Sequence, residues 1–382
     1  MMSVALTASW VLPYSTRTAN PDRVIGLHAR SPALPPLHEK TQPSSAAVRT
    51  DASGLINAGL AYLVEHQNAD GSFGGPDSRI IRVGLSALAT LSILSDANVE
   101  HRGRYHKEAT RGVRFLMNCA TPTGERKGYF TAEGDTTSRM HGHGYATLAL
   151  TQAYGMFGTR RRFANSAERI GVILRDAVSI IVRSQSRAGG WYYDPFDIDH
   201  DEGSITVCML QALRGARNCG FHVPRSTIDR AVEYLHKSQN PDGSFRYKLF
   251  GDEQSSFELT AAATSSLLHA GKYQDRAVRR ARDYLWGQRL DDFLSGSPRG
   301  YPYYGLFYAA CVLRFDFDRD LSSVLMPRIE AWFASRFDPS TGVFTESQNP
   351  DFRERTYGHC YPTALATLTL QVHKGYLPVF DR

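Results

Sequence analysis

From Asp51 onward the chain alternates two kinds of helical text. One kind places apolar residues at i, i+3 and i+4 with charges between them, as in Arg225-Ser-Thr-Ile-Asp-Arg-Ala-Val-Glu-Tyr-Leu-His and Asp275-Arg-Ala-Val-Arg-Arg-Ala-Arg-Asp-Tyr-Leu-Trp. That period predicts a helix with one wet face. The other kind is nearly free of charge and rich in small residues: Val83-Gly-Leu-Ser-Ala-Leu-Ala-Thr-Leu-Ser-Ile-Leu, Leu259-Thr-Ala-Ala-Ala-Thr-Ser-Ser-Leu-Leu, Gly305-Leu-Phe-Tyr-Ala-Ala-Cys-Val-Leu and Thr363-Ala-Leu-Ala-Thr-Leu-Thr-Leu. A helix apolar on every side is buried on every side. The pattern predicts six wet helices and six dry ones in alternation.

Glycine–aromatic turns separate the helices of each pair. They read Gln67-Asn-Ala-Asp-Gly71-Ser-Phe73, Gly128-Tyr-Phe130, Gln185-Ser-Arg-Ala-Gly-Gly190-Trp191, Gln239-Asn-Pro-Asp-Gly243-Ser-Phe245, Gly300-Tyr301 and Asp338-Pro-Ser-Thr-Gly342-Val-Phe344. Their glycines recur at spacings of 57, 62, 53, 57 and 42 residues, an irregular period that marks an array of supersecondary units. Such units form either an open solenoid or a closed ring. Six pairs, ordinary units at both ends in place of polar caps, and the apolar segment Leu370-Gln-Val-His-Lys-Gly-Tyr-Leu-Pro-Val-Phe favour closure. The expected fold is all-α, an α/α toroid of six inner and six outer helices over residues 51–382. Phe73, Trp191, Phe245 and Phe344 are expected to be buried under their turns.

The first fifty residues read differently. Residues 4–12 are apolar, but no Lys or Arg precedes them and no clean cleavage site follows, and residues 31–48 are rich in Pro and Ser. This reads as a disordered leader, which favours the cytoplasm over export. Across the whole chain of 382 residues, 42% hydrophobic and 21% charged residues suit a globular protein, and no apolar run reaches membrane-spanning length. The net charge of +6 comes with scattered arginines, so no nucleic-acid stripe is expected. The five cysteines are odd in number and contain no CxxC pair, which argues against disulfides or a zinc ribbon.

In a closed ring the dry helices run in one direction, so their N-terminal ends rim one opening. There, unpaired N–H groups and positive dipole ends gather. The segments before the dry helices carry Arg79 and Arg82; His141 and His143; Asp197, Asp199, Asp201 and Glu202; Asp252, Glu253 and Glu258; Tyr301, Tyr303 and Tyr304; and Tyr357, His359 and Cys360. Acids at helix starts also serve as plain caps. His141, Asp201, Tyr303 and His359 are expected to meet across the opening. His141 and His143 lie about 200° apart if helical, so they cannot share one ion from a helix.

The Gln-x-x-Asp-Gly-Ser-Phe and Gly-Gly-Trp turns resemble the prenyltransferase/squalene-oxidase repeat of terpenoid cyclases and protein prenyltransferase β subunits. His141-Gly-His-Gly-Tyr-Ala-Thr-Leu-Ala-Leu, Leu210-Gln-Ala-Leu-Arg-Gly-Ala-Arg-Asn and the ending Leu-Gln-Val-x-x-x-Tyr-Leu-Pro are most similar to single-domain, planctomycete-type members. The resemblance covers residues 53–382. It implies a central cavity for an isoprenoid-like hydrophobic molecule and, in the class II cyclases, an acidic motif whose middle Asp protonates an alkene or epoxide. Asp197-Ile-Asp199-His-Asp201-Glu202 resembles that motif, with Asp199 or Asp201 as the acid and with His141, His143, Tyr303 and His359 completing the site. His200 and Glu-Gly-Ser depart from the motif, and the repeat pattern leads to the expectation of one toroid domain without the second of a squalene-type cyclase. The prenyltransferase Asp-x-Cys zinc element is also absent, so neither metal nor other cofactor is expected. The alternatives are a non-catalytic ligand- or protein-binding toroid, a zinc prenyltransferase-like protein, and a carbohydrate-active toroid using carboxylates and tyrosines.

Overall fold

A computed structural model describes residues 51–99, 101–137, 139–157, 164–250, 253–296, 300–315, 319–345, 357–375 and 377. The leader over residues 1–50 lies outside them. The inner helices are α2 (Arg82–Leu94), α4 (Arg139–Phe157), α6 (Gly203–Asn218), α8 (Phe257–His269), α11 (Pro302–Phe315) and α13 (Cys360–Gln371). The outer helices are α1 (Ala52–Glu65), α3 (His106–Asn118), α5 (Ala164–Arg183), α7 (Arg225–Ser238), α9 (Arg276–Leu285) and α12 (Arg319–Ala334). A short helix, α10 (Gln288–Ser295), stands between α9 and α11 and was not anticipated from the periodicity.

The charge-free text forms the inner ring. All thirteen residues of α8 are buried, whereas α7 buries only one stripe: Thr227, Ala231, Val232, Tyr234, Leu235 and Ser238. The inner helices pack in sequence, α2 on α4, α4 on α6, α6 on α8, α8 on α11 and α11 on α13. Helix α13 then returns to α2, and the ring is closed. Gln371 Nε2 donates to the Ser92 carbonyl at 3.1 Å across this seam, and Lys374 pairs with Asp96 at 3.2 Å. Small residues allow close helix contact, as where Gly84 of α2 faces Gly142 of α4.

The turns show why the repeat phrase has its letters. Gly243 adopts φ +96°, and a Cβ there would lie 2.3 Å from the Arg280 carbonyl oxygen of the next outer helix. Gln239 Nε2 donates to the Gly243 and Ala277 carbonyls, tying the turn to that same helix. Gln67 and Gln185 repeat the arrangement in their own units. The turn aromatic is buried in each case: Phe73, Trp191, Phe245 and Phe344 are all at most 1% exposed. Its backbone N–H donates to a hydroxyl of the following inner helix, Ser86, Thr206, Thr260 or Thr363. The turn at Gly300 departs from the pattern. A Cβ at Gly300 would lie 2.0 Å from Glu258 Oε1, so this glycine makes room for a carboxylate and does not seat a turn aromatic.

Candidate functional site

All six inner helices contribute residues from their N-terminal turns, or just ahead of them, to a single cavity of about 220 Å³. Its lining includes the apolar Ile81, Leu85, Leu88 and Leu259 together with aromatic and acidic residues. Tyrosines line it from α4 (Tyr145), α11 (Tyr304) and α13 (Tyr361). Three carboxyl side chains, Asp135, Glu202 and Glu258, also line it, and each is at most 9% exposed.

Glu202 is the N-cap of α6. Its extended backbone (φ −153°, ψ 136°) bridges Trp191, and its Oε2 accepts from the Ile205 N–H at 2.9 Å. The same oxygen accepts from the Ser204 hydroxyl at 2.6 Å, and Ser204 Oγ lies 3.1 Å from His141 Nε2. Carboxyl, hydroxyl and imidazole therefore form one hydrogen-bonded chain. Burial raises the Glu202 pKa although Ser204 and the N–H groups favour its carboxylate, and burial lowers that of His141 to about 4. Both groups are pushed toward their neutral forms.

Asp135 sits in the loop after Phe130, close to the Arg82 and Val83 N–H groups at the start of the inner helix of the preceding unit. Burial outweighs these groups and the Arg139 charge and lifts its pKa to about 7. Glu258 Oε1 accepts from the Tyr301 N–H at 3.2 Å, in the space left by Gly300 and Gly305.

Of the six site residues expected from the sequence, His141 alone lines this cavity. Asp199 lies in solvent, paired with Arg187 at 2.6 Å. Asp201 accepts from Tyr234 Oη at 2.8 Å and from the Leu249 N–H at 3.2 Å, so it faces the outer layer. Successive residues of an extended segment point to opposite sides, and Glu202 takes the inward place next to it. His143 is fully buried on the other side of α4. It accepts the Phe130 N–H on Nδ1 and bonds the Ala177 carbonyl through Nε2, filling the role Ser86 or Thr206 has in other units. Tyr303 packs on Trp332 and Phe333 and donates to the Thr345 carbonyl, and His359 is exposed. The expected meeting of His141, Asp201, Tyr303 and His359 is thus replaced by one of His141, Glu202 and Ser204. Among the described residues, no three His, Cys, Asp or Glu side chains form a metal-binding group.

No family model matches the sequence. The type II terpene cyclase MstE of Scytonema superposes with a TM-score of 0.54 at 15% identity, covering 85% of this chain and 98% of the cyclase. By fold, the chain is a terpenoid-cyclase-like toroid. MstE has been solved with geranylgeranyl dihydroxybenzoate as its substrate and with merosterolic acid A as its product. An α-1,6-mannanase of Salegentibacter shares the toroid at a TM-score of 0.53 and 10% identity, covering 83% of this chain and all of the mannanase. In sequence, drimenyl diphosphate synthase of Streptomyces showdoensis is 25% identical over 185 residues, 48% of this chain and 31% of the synthase. Squalene hopane cyclase afumA of Aspergillus fumigatus is 24% identical over 265 residues, 66% of this chain and 32% of the cyclase. The chain spans about a third of the length of these curated relatives. No helix among the described residues is long and apolar enough to cross a membrane.

Proposed function

We propose that this toroid is a proton-initiated cyclase of a short isoprenoid, with Glu202 as the acid. The observation that carries the reading is a neutral-leaning carboxyl on the wall of an aromatic and apolar cavity, linked through Ser204 to an imidazole. A donor to an alkene must be a carboxylic acid kept protonated, and burial is the means. The Glu202 O–H bond breaks as a new C–H bond forms at one alkene carbon, and the π pair of a neighbouring alkene closes the ring on the resulting cation. The final cation sheds a proton to regenerate an alkene, and neutral His141 receives it. Ser204 then takes a proton from His141 on its oxygen and gives its own to Glu202. The reaction is an isomerisation and requires no oxidant. Tyrosine faces around the cavity stabilise the travelling positive charge.

Size narrows the substrate. Ligand pockets commonly measure roughly 300–1,000 Å³, and this cavity of about 220 Å³ falls below that range. A monoterpenoid or sesquiterpenoid chain fits this reading better than a triterpenoid. Carboxyls and tyrosines also serve sugar sites, and the mannanase neighbour shares the toroid, but the leucines in the lining favour a hydrocarbon.

The test incubates the protein with C10 to C30 polyprenols, their diphosphates and squalene, with products identified by mass spectrometry. Wild type is expected to give a cyclised product from a C10 or C15 chain, and folded Glu202→Gln to lose it by at least about a hundredfold. Loss in Asp135→Asn with retention in Glu202→Gln would overturn the assignment of the acid. Conversion of no isoprenoid would overturn the cyclase reading.

A further inference from the structure

Glu258, in the first turn of α8, lines the cavity and is 7% exposed. Two glycines of the next unit clear space for it. A Cβ at Gly300 would lie 2.0 Å from its Oε1, and one at Gly305 would lie 2.6 Å from its Cγ. Oε1 accepts from the Tyr301 N–H at 3.2 Å. Oε2 accepts from no donor among the described residues, yet it is not sealed inside the protein. The hydroxyls around it are turned elsewhere: Tyr247 bonds Ser256 at 2.8 Å, and Tyr301 meets Tyr357 at 3.4 Å. One oxygen of a largely buried carboxyl is therefore left open on the cavity wall.

That arrangement has a chemical sign. A carboxylate offers acceptors and no donor, and withdrawing it from water without a full set of partners is costly. A donor on the ligand would relieve the cost; an ether oxygen, a hydrocarbon or an anion would not. The rest of the lining agrees. Glu202 and Asp135 share the cavity with Glu258, and no Lys or Arg is among the described residues that line it. An anion finds no cationic partner there, whereas tyrosine faces suit a cation.

We propose that Glu258 selects the polar end of the ligand, accepting on Oε2 a hydrogen bond from a hydroxyl or an ammonium group. Isoprenoids that carry such a donor are thereby taken in preference to ethers, diphosphate esters and bare hydrocarbons. The inference rests on the isoprenoid reading above for the body of the ligand and adds the chemistry of its end.

Calorimetric titration of the full chain with farnesol, farnesylamine, farnesyl methyl ether, farnesyl diphosphate and farnesene tests this, because all five share one C15 chain. The better of the alcohol and the amine is expected to bind about tenfold or more tightly than the ether. Which of the two binds better names the head group. In Glu258→Gln the amide oxygen takes over the Tyr301 N–H, and the NH2 group replaces Oε2 on the cavity wall. The donor-to-ether preference should then collapse to near unity, while farnesene affinity, which reports an intact cavity, stays unchanged. If that variant does not fold, Glu258→Asp, which draws the carboxyl back from the ligand, should lower the same ratio. An ether or diphosphate bound as tightly as the better donor would overturn the proposal, as would an unchanged ratio in the folded variant. Equal binding of all five would sink this inference and leave the isoprenoid reading standing. Binding of none would remove both.

Discussion

His141 and His143 show how two residues of the same chemistry acquire different roles from about 200° of helix rotation. The Ser204 hydroxyl faces the cavity and joins an acid to His141. His143 stands two positions after His141, faces the outer ring, and receives the Phe130 N–H. His143→Ala should therefore cost about 1–3 kcal/mol through an unpaired buried N–H, measured by chemical denaturation, while any turnover per folded molecule is retained. The titration of this residue has a definite sign. Its pKa in the fold is lowered by burial to about 4, against 6.5 when exposed. Its contribution is complete above pH 6.5 and is lost as pH falls through 4. Asp135 runs the other way. Its pKa of about 7 lies above the ordinary 3.8, so its contribution is complete below 3.8 and lost as pH rises through 7. Melting curves should show Asp135→Asn losing ground to wild type as pH drops from 7.5 to 4.5. A pH-independent difference would contradict the burial of that carboxyl.

At the level of elements, the turn and its aromatic form the unit of stability. Phe245→Ala should cost about 3–5 kcal/mol, since a fully buried aromatic is removed. Gly243→Ala should be at least as damaging, because its Cβ meets the Arg280 carbonyl in a left-handed backbone. Thermal unfolding of both variants checks this, and an unchanged melting temperature for either would refute the turn geometry. These turns were legible in the sequence because glycine, glutamine and aromatic each answer a local need at fixed spacing. The site was less so. Glu202 was visible as an acid before a dry helix, but choosing between it and Asp201 requires knowing that the segment is extended and bridges Trp191. Asp135 carried no local signal, since the helix start it lies against belongs to the preceding unit. Tyr303 and Tyr304 are adjacent in sequence, and only the start of α11 at Pro302 decides which one faces the cavity. His143 read as a rim residue because serine or threonine holds its place in the neighbouring units.

For the whole molecule, closure is the property that creates a cavity at all. The alternation of wet and dry helices made the two rings legible, while the ring's seam depends on contacts between residues far apart in sequence, such as Gln371 with Ser92. An open solenoid that loses a terminal unit keeps the rest folded. Truncation after Thr345 removes α13 and so exposes faces of α1, α2 and α11 together. The truncated chain should lose cooperative unfolding by calorimetry, and a retained sharp transition would argue for an open array. The central claim, that this closed ring holds a buried acid which starts a cyclisation, is tested most directly in D2O. Product formed there from an unlabelled C15 isoprenoid should carry one deuterium at the carbon Glu202 protonates, and folded Glu202→Gln should form none. Unlabelled product, or labelled product undiminished in Glu202→Gln, would contradict the account.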